Sequence, residues 1–232
     1  MKIGILCACE EELAPFLPEL EGCTVTTRGK WQVYGGLFRG VETAAVVSGM
    51  CKVNAAAAAQ LLITGFGADA VINSGTAGAM RGDLEVFDTV ISSETLHHDV
   101  DPSVLTDHMP RYDSAVFPAD ARLLALSREA ALRAPGVRQV FWGRMATGER
   151  FIDTEGRQAI NERFAPLCVD METAAIAQVC CAFGVPYLSV RTITDTPSER
   201  GSDNFLKNLP EAAAISKDVT AAVFELLRES GK

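Results

Sequence analysis

No window of this sequence stays apolar long enough to span a bilayer, and no linker, internal repeat or low-complexity tract divides it. Basic side chains are in short supply, with 21 Lys and Arg against 30 Asp and Glu and a net charge of −9. Phosphate-rich partners are held by clustered Lys and Arg that displace counterions, so this balance argues against a nucleic acid and favours a small uncharged ligand. Neither a P-loop lysine nor the full glycine spacing of a dinucleotide fingerprint is present, which leaves nucleotide triphosphates and NAD without support. The seven cysteines are an odd number, mostly in apolar stretches, and neither Cys7/Cys9 nor Cys180/Cys181 has the second ligand pair of a zinc site. The apolar stretch at residues 1–12 is too short and too soon acidic for a secretory signal. The expectation is a cytoplasmic protein with reduced thiols, no membrane segment and no metal.

What is present is a composition of 48% hydrophobic and 22% charged residues, enough to build a core without help. At 232 residues the chain reads as a single α/β domain covering 1–232. Val- and Ile-rich runs at 2–8, 41–48, 70–73, 89–96, 137–145, 167–169 and 186–193 read as strands. Helical patterns start at Glu10 and cover 52–66, 119–134, 155–164, 172–183 and 212–227. The segment 32–39 alternates around Gly35 and Gly36 and suggests an antiparallel element, so a three-layer α/β/α sandwich around a mixed sheet is expected. The stretch 99–118 carries three prolines and no periodicity, and reads as a long functional loop.

Ligands of open α/β sheets gather beyond the carboxyl ends of the strands. That rule selects "CACEEE", "NSGTAGAM", "VDMET" and "RTITD". Within Glu10–Glu11–Glu12 the acids suit a helix start, and one of them can turn into the crevice as a base. Gly75 to Gly78 reads as a tight turn that lets backbone approach a ligand, with the Thr76 hydroxyl free to hold water or a sugar oxygen. Of Asp170 and Glu172, two residues apart and so pointing different ways, one can cap the following helix while the other faces the crevice. Asp195, near Arg191, is either half of an ion pair or a proton donor tuned by its surroundings. Phe151 and Ile152 are core residues or a surface for a flat ring. His97 and His98 are adjacent on a strand, point to opposite faces and do not suit joint metal ligation.

Taken in order, "MKIGILCACEEE", "SGMCKVNAA", "INSGTAGAM", "ERFI", "VDMETAAIA" and "VRTITD" resemble the 5′-methylthioadenosine/S-adenosylhomocysteine nucleosidases of the nucleoside phosphorylase family, over nearly the whole chain. The resemblance implies a cofactor-free hydrolase that cuts the bond between adenine N9 and the ribose. It implies that Glu12 activates water with Arg191 and Thr76 helping to hold it, and that Met171 and Glu172 bind the ribose hydroxyls. It also implies that Asp195 serves N7, that Phe151 stacks on adenine, and that the Ile152 backbone reads the base edge. A homodimer follows from the same likeness, the loop at 101–118 closing the partner's site. Asp170 is then left to cap or buttress the helix. The chain departs from the pattern at Cys9, at Cys51 where the family usually has glycine, and in "HHDVDPSVLTDHMP", which lacks the aromatics of the 5′ pocket. The 5′ group therefore stays open among methylthioadenosine, S-adenosylhomocysteine, 5′-deoxyadenosine and aminofutalosine-like nucleosides. A phosphate-dependent phosphorylase and a catalytically silent nucleoside-binding protein are the rival readings.

Overall fold

The computed structural model describes residues 1–153, 156–198 and 202–230. The chain opens with strand β1 (Lys2–Cys7), a single helical turn α1 (Glu10–Leu13), and strands β2 (Leu20–Arg28), β3 (Trp31–Phe38) and β4 (Val41–Val47). Helix α2 (Lys52–Gln60) and strands β5 (Ala70–Ala79) and β6 (Thr89–His97) follow, then α3 (Pro102–Thr106), β7 (Val116–Pro118), α4 (Ala121–Arg133) and β8 (Val140–Thr147). The last elements are α5 (Arg157–Phe164), β9 (Cys168–Asp170), α6 (Thr173–Phe183), β10 (Tyr187–Asp195) and α7 (Ser202–Ser230).

The strands form one mixed sheet, as the sequence suggested, and run in the order β10-β6-β8-β9-β5-β1-β4-β3-β2, with β7 paired to β6. It curls upon itself, because β5 pairs in parallel with β10 as well as antiparallel with β9. β5 and β10 are buried along nearly their whole length, which fits central strands covered on both faces. Helix α7 lies on β10 and β5 with α4 and α1 beside it, while α2 packs against α6. No helix among the described residues is long and apolar enough to cross a membrane.

The differences from the sequence reading have physical reasons. The segment 75–78 is no turn, since β5 runs straight through it to Ala79. Its pairing with β10 runs from Val71 to Gly78, with one register shift between Ile193 and Asp195, so ladder bonds hold it extended despite two glycines. β2 escaped notice because it is a largely exposed, threonine-rich hairpin partner of β3 without an apolar face. The 99–118 stretch contains α3, started by Asp101 accepting from Ser103 N at 2.9 Å with Pro102 in its first turn, and β7, paired to β6. Helix α7 begins ten residues before the expected 212 because Pro210 lies inside it rather than before it. The first residue of the expected helix at 155–164 lies outside the described residues.

Candidate active site

A cavity of about 270 Å³ opens where β1, β5, β9 and β10 end. A recess of about 30 Å³ adjoins it, bordered by Ile152 and Asp195. The strand-end rule thus places the cavity where four separate sequence segments converge.

Glu12 enters from α1 and is buried. One carboxylate oxygen accepts from Ala8 N at 2.7 Å; the other accepts from Thr76 N at 2.7 Å and Thr76 Oγ1 at 2.9 Å. β1 has already ended at Cys7, so this stretch of β5 has no strand beside it on that edge and the carboxylate takes the amide that a neighbour would have taken. A methyl group on Gly75 would fall on the Glu12 carboxylate, which explains the glycine.

Arg191 lies behind the cavity at 0% exposure and faces three acids. Its guanidinium is 3.0 Å from Asp170, 3.4 Å from Glu172 and 3.6 Å from Glu12. It also donates to Thr173 Oγ1 at 3.2 Å and the Thr76 carbonyl at 3.3 Å. Burial alone would lower its pKa, but the three carboxylates raise it above its ordinary value. Removing one partner from such a buried cluster costs about 3–5 kcal/mol, so the arrangement is rigid. Asp170 has the capping role expected of it, accepting from Glu172 N at 3.3 Å and Thr173 N at 3.2 Å, and it also takes the Thr147 hydroxyl at 2.6 Å. Glu172 accepts from Cys51 N at 3.0 Å, and its pKa is pushed up to about 7. Burial is the main cause, and Asp170 and Glu12 add to it against the pull of Arg191.

At the other end, Asp195 terminates β10 and accepts from Thr194 Oγ1 at 3.0 Å. Burial raises its pKa from the ordinary carboxylate value, against the opposing effects of the Thr194 hydrogen bond and then of the Arg157 charge. Gly78 again provides the clearance, since a Cβ there would stand 3.0 Å from Asp195 Oδ2. Ile152 is buried beside it, and Phe151 meets Phe205 of α7 edge-on with centroids 6.1 Å apart. The two rings form an apolar wall.

The model of the Phosphorylase superfamily matches residues 2–225. The chain belongs to this superfamily. A 5′-methylthioadenosine/S-adenosylhomocysteine nucleosidase of Geobacillus kaustophilus is 36% identical over 233 residues, 99% of each chain. The crystal structure of the nucleosidase of that name from Neisseria meningitidis, in complex with methylthio-immucillin-A, superposes with a TM-score of 0.89 at 32% identity, covering 97% of this chain and 98% of that one. The native structure of futalosine hydrolase of Helicobacter pylori has a TM-score of 0.86 at 28% identity, with coverage of 97% and 98%.

In this member of the superfamily, Glu12, Thr76, Phe151, Met171, Glu172 and Asp195 all line the cavity, and Ile152 lines the adjoining recess. Arg191 is placed differently from the expectation: it does not line the cavity, because its donors are directed to the buried carboxylates and the Thr76 carbonyl. Phe205, Leu206 and Leu209 of α7 were not found from sequence. Their i, i+4 spacing is a helical signal, obscured by Pro210 directly after it. His97 hydrogen-bonds Gln178 at 2.9 Å, and no cluster of His, Cys, Asp or Glu suited to a metal ion occurs among the described residues.

Two substitutions test this local construction. Gly75→Ala is expected to displace the Glu12 carboxylate and cost about 10²-fold in turnover, the scale of a misplaced catalytic group, with little loss of secondary structure. A steady-state assay beside a circular-dichroism spectrum checks it. Cys51 has φ 77° and ψ 161°, a backbone region that only glycine occupies freely. Cys51→Gly is expected to stabilise the protein by about 1 kcal/mol, relieved strain outweighing the greater chain entropy of glycine. The check is a rise in denaturant midpoint at constant slope, with activity kept because the Cys51 amide still reaches Glu172.

Proposed function

We propose that this protein is a nucleosidase that hydrolyses the N-glycosidic bond of 5′-substituted adenosines, methylthioadenosine and S-adenosylhomocysteine among them, to release adenine. The observation that carries the reading is the pair of buried carboxylates at the two ends of one cavity. Glu12 stands beside Gly75 and Asp195 beside Gly78, three residues further along β5, about 10 Å at ordinary strand rise.

Breaking the bond from C1′ to N9 sends the electron pair to the purine and leaves positive charge on the sugar. Asp195, whose pKa is raised by burial, gives its proton to N7 so that adenine leaves neutral. Water adds its oxygen to C1′ while its proton passes to Glu12. The anionic cluster of Glu12, Asp170 and Glu172, only partly offset by Arg191, favours the cationic sugar that forms between these steps. Glu172 and Met171 border the cavity where the ribose hydroxyls would lie, and Glu172 accepts from the diol in its ionised form. Phe151 and the Ile152 backbone hold adenine. Cys9, Met50, Phe205 and Leu206 offer an apolar lining to the 5′ thioether. Arg191 acts by fixing the acids.

A phosphorylase would need cations facing its nucleophile. Among the described residues lining the main cavity there is no lysine or arginine, and Lys52 and Arg39 are paired with Asp99 and Glu19 at 2.7 and 2.6 Å. We further propose a cytoplasmic homodimer, since Met50, Val53, Val104 and Met109 leave apolar surface exposed; a monomeric mass in light scattering would rule the dimer out. The functional test is adenine release from methylthioadenosine, S-adenosylhomocysteine and 5′-deoxyadenosine, each with and without phosphate. Release without phosphate is expected. Strict dependence on phosphate would make the protein a phosphorylase, and binding without release would make it a silent nucleoside binder.

A further inference from the structure

Arg157 opens α5 immediately after Gly156, which adopts a left-handed φ of 84°. A cation in the first turn opposes the helix dipole, so helix stability alone does not favour arginine here. The side chain is nevertheless buried. Nε donates to the Asp153 carbonyl at 2.8 Å and Nη2 to the Ile152 carbonyl at 3.2 Å, while Nη1 donates to the carbonyl of Ala79 at the end of β5. Nη2 also lies 3.9 Å from Asp195 Oδ2. One rigid, planar group therefore joins the segment carrying Ile152, the end of the strand carrying Gly78, and the carboxyl at the end of β10.

We propose that Arg157 is a positioning residue for the leaving base: it holds the Ile152 main chain and the Asp195 carboxyl in one frame, and its charge acts on Asp195. The proposal rests on the reading that adenine leaves at the Asp195 end. Among the described residues, Arg157 and Asp153 are the charged groups whose influence reaches Asp195, with opposite signs, and Arg150 and Asp170 border the same recess. The other neighbours are neutral: Gly78 from β5, Thr194 on the same strand, and Asn208 of α7, which donates to the Thr194 carbonyl at 2.8 Å. The nearby cation favours the ionised carboxyl, so its removal raises the pH at which Asp195 loses its proton.

The test measures kcat and KM for adenine release from methylthioadenosine across the pH range for wild type, Arg157→Gln and Arg157→Lys, with melting curves for each. Arg157→Gln is expected to raise KM about tenfold and to move the basic limb of the rate profile up by about one pH unit, the lower end of the effect of an adjacent opposite charge. Arg157→Lys keeps the charge and loses the planar fork, so its limb stays in place while KM still rises. A limb in Arg157→Gln that superposes on wild type makes the residue structural only and overturns the proposal, whatever the loss of rate. Should Arg157→Gln fail to fold, the Lys variant decides, and wild-type kcat and KM in that variant overturn the proposal. A wild-type enzyme that releases no adenine overturns the nucleosidase reading itself, an outcome distinct from an unmoved limb.

Discussion

Asp195→Asn is expected to slow adenine release by about 10²- to 10⁴-fold, the usual worth of a positioned proton donor, while the protein stays folded. The amide has the size of the carboxyl and can still accept from Thr194 Oγ1, so the end of β10 keeps its local bond. The separation from Arg157 is 3.9 Å, long for a charge-assisted hydrogen bond, so losing the charge removes little stability. What disappears is a transferable proton. An amide can hydrogen-bond N7 but cannot neutralise the departing purine, so the loss belongs in kcat. Single-turnover release of adenine beside a thermal melt separates the two effects. A rate within a few-fold of wild type would remove Asp195 from the chemistry.

Glu12→Gln is expected to cause a loss of similar size and, unlike the change at Asp195, a measurable loss of stability. Both carboxylate oxygens accept from donors: Ala8 N on one side, Thr76 N and Oγ1 on the other. A glutamine must turn its NH₂ toward one of these, placing donor against donor in a buried site. Leaving such a group unsatisfied costs about 1–3 kcal/mol. Removing the negative charge also takes away a partner of Arg191 at 3.6 Å. The expected pattern is a lowered denaturation midpoint together with turnover reduced by at least about 10²-fold. A destabilised variant that still turns over at the wild-type rate would show that water needs no base at this position.

Much of this was legible in the sequence because strand ends are chemically conspicuous. β1, β4, β6 and β10 are marked by runs bearing Val or Ile, and the acids that follow or close β1, β9 and β10 cannot be part of the core without partners. The family resemblance then assigned roles to those acids. What could not be read depended on contacts far apart in sequence. The segment from Gly75 to Gly78 carries the local signature of a turn, and only pairing with β10 shows it to be strand. Arg191 looked like a ligand-facing cation until three carboxylates from distant segments surrounded it. Arg157 gave no signal, as the hydrogen bonds it makes to Asp153 and Ile152 go to backbone carbonyls, which no side-chain pattern reveals. The start of α7 was concealed by a proline that ordinarily ends a helix.

The difference in length between β1 and β5 has an architectural consequence. β1 stops at Cys7, one residue beyond the Leu6 that pairs with Asn73, and β5 runs on to Ala79. Had the two strands been equally long, protein backbone would fill the space beside Thr76. The void is therefore a mismatch in strand length, closed by one carboxylate instead of a strand. Extending β1 by a residue or two at its end would leave the sheet continuous and the chamber without a floor to receive a ligand.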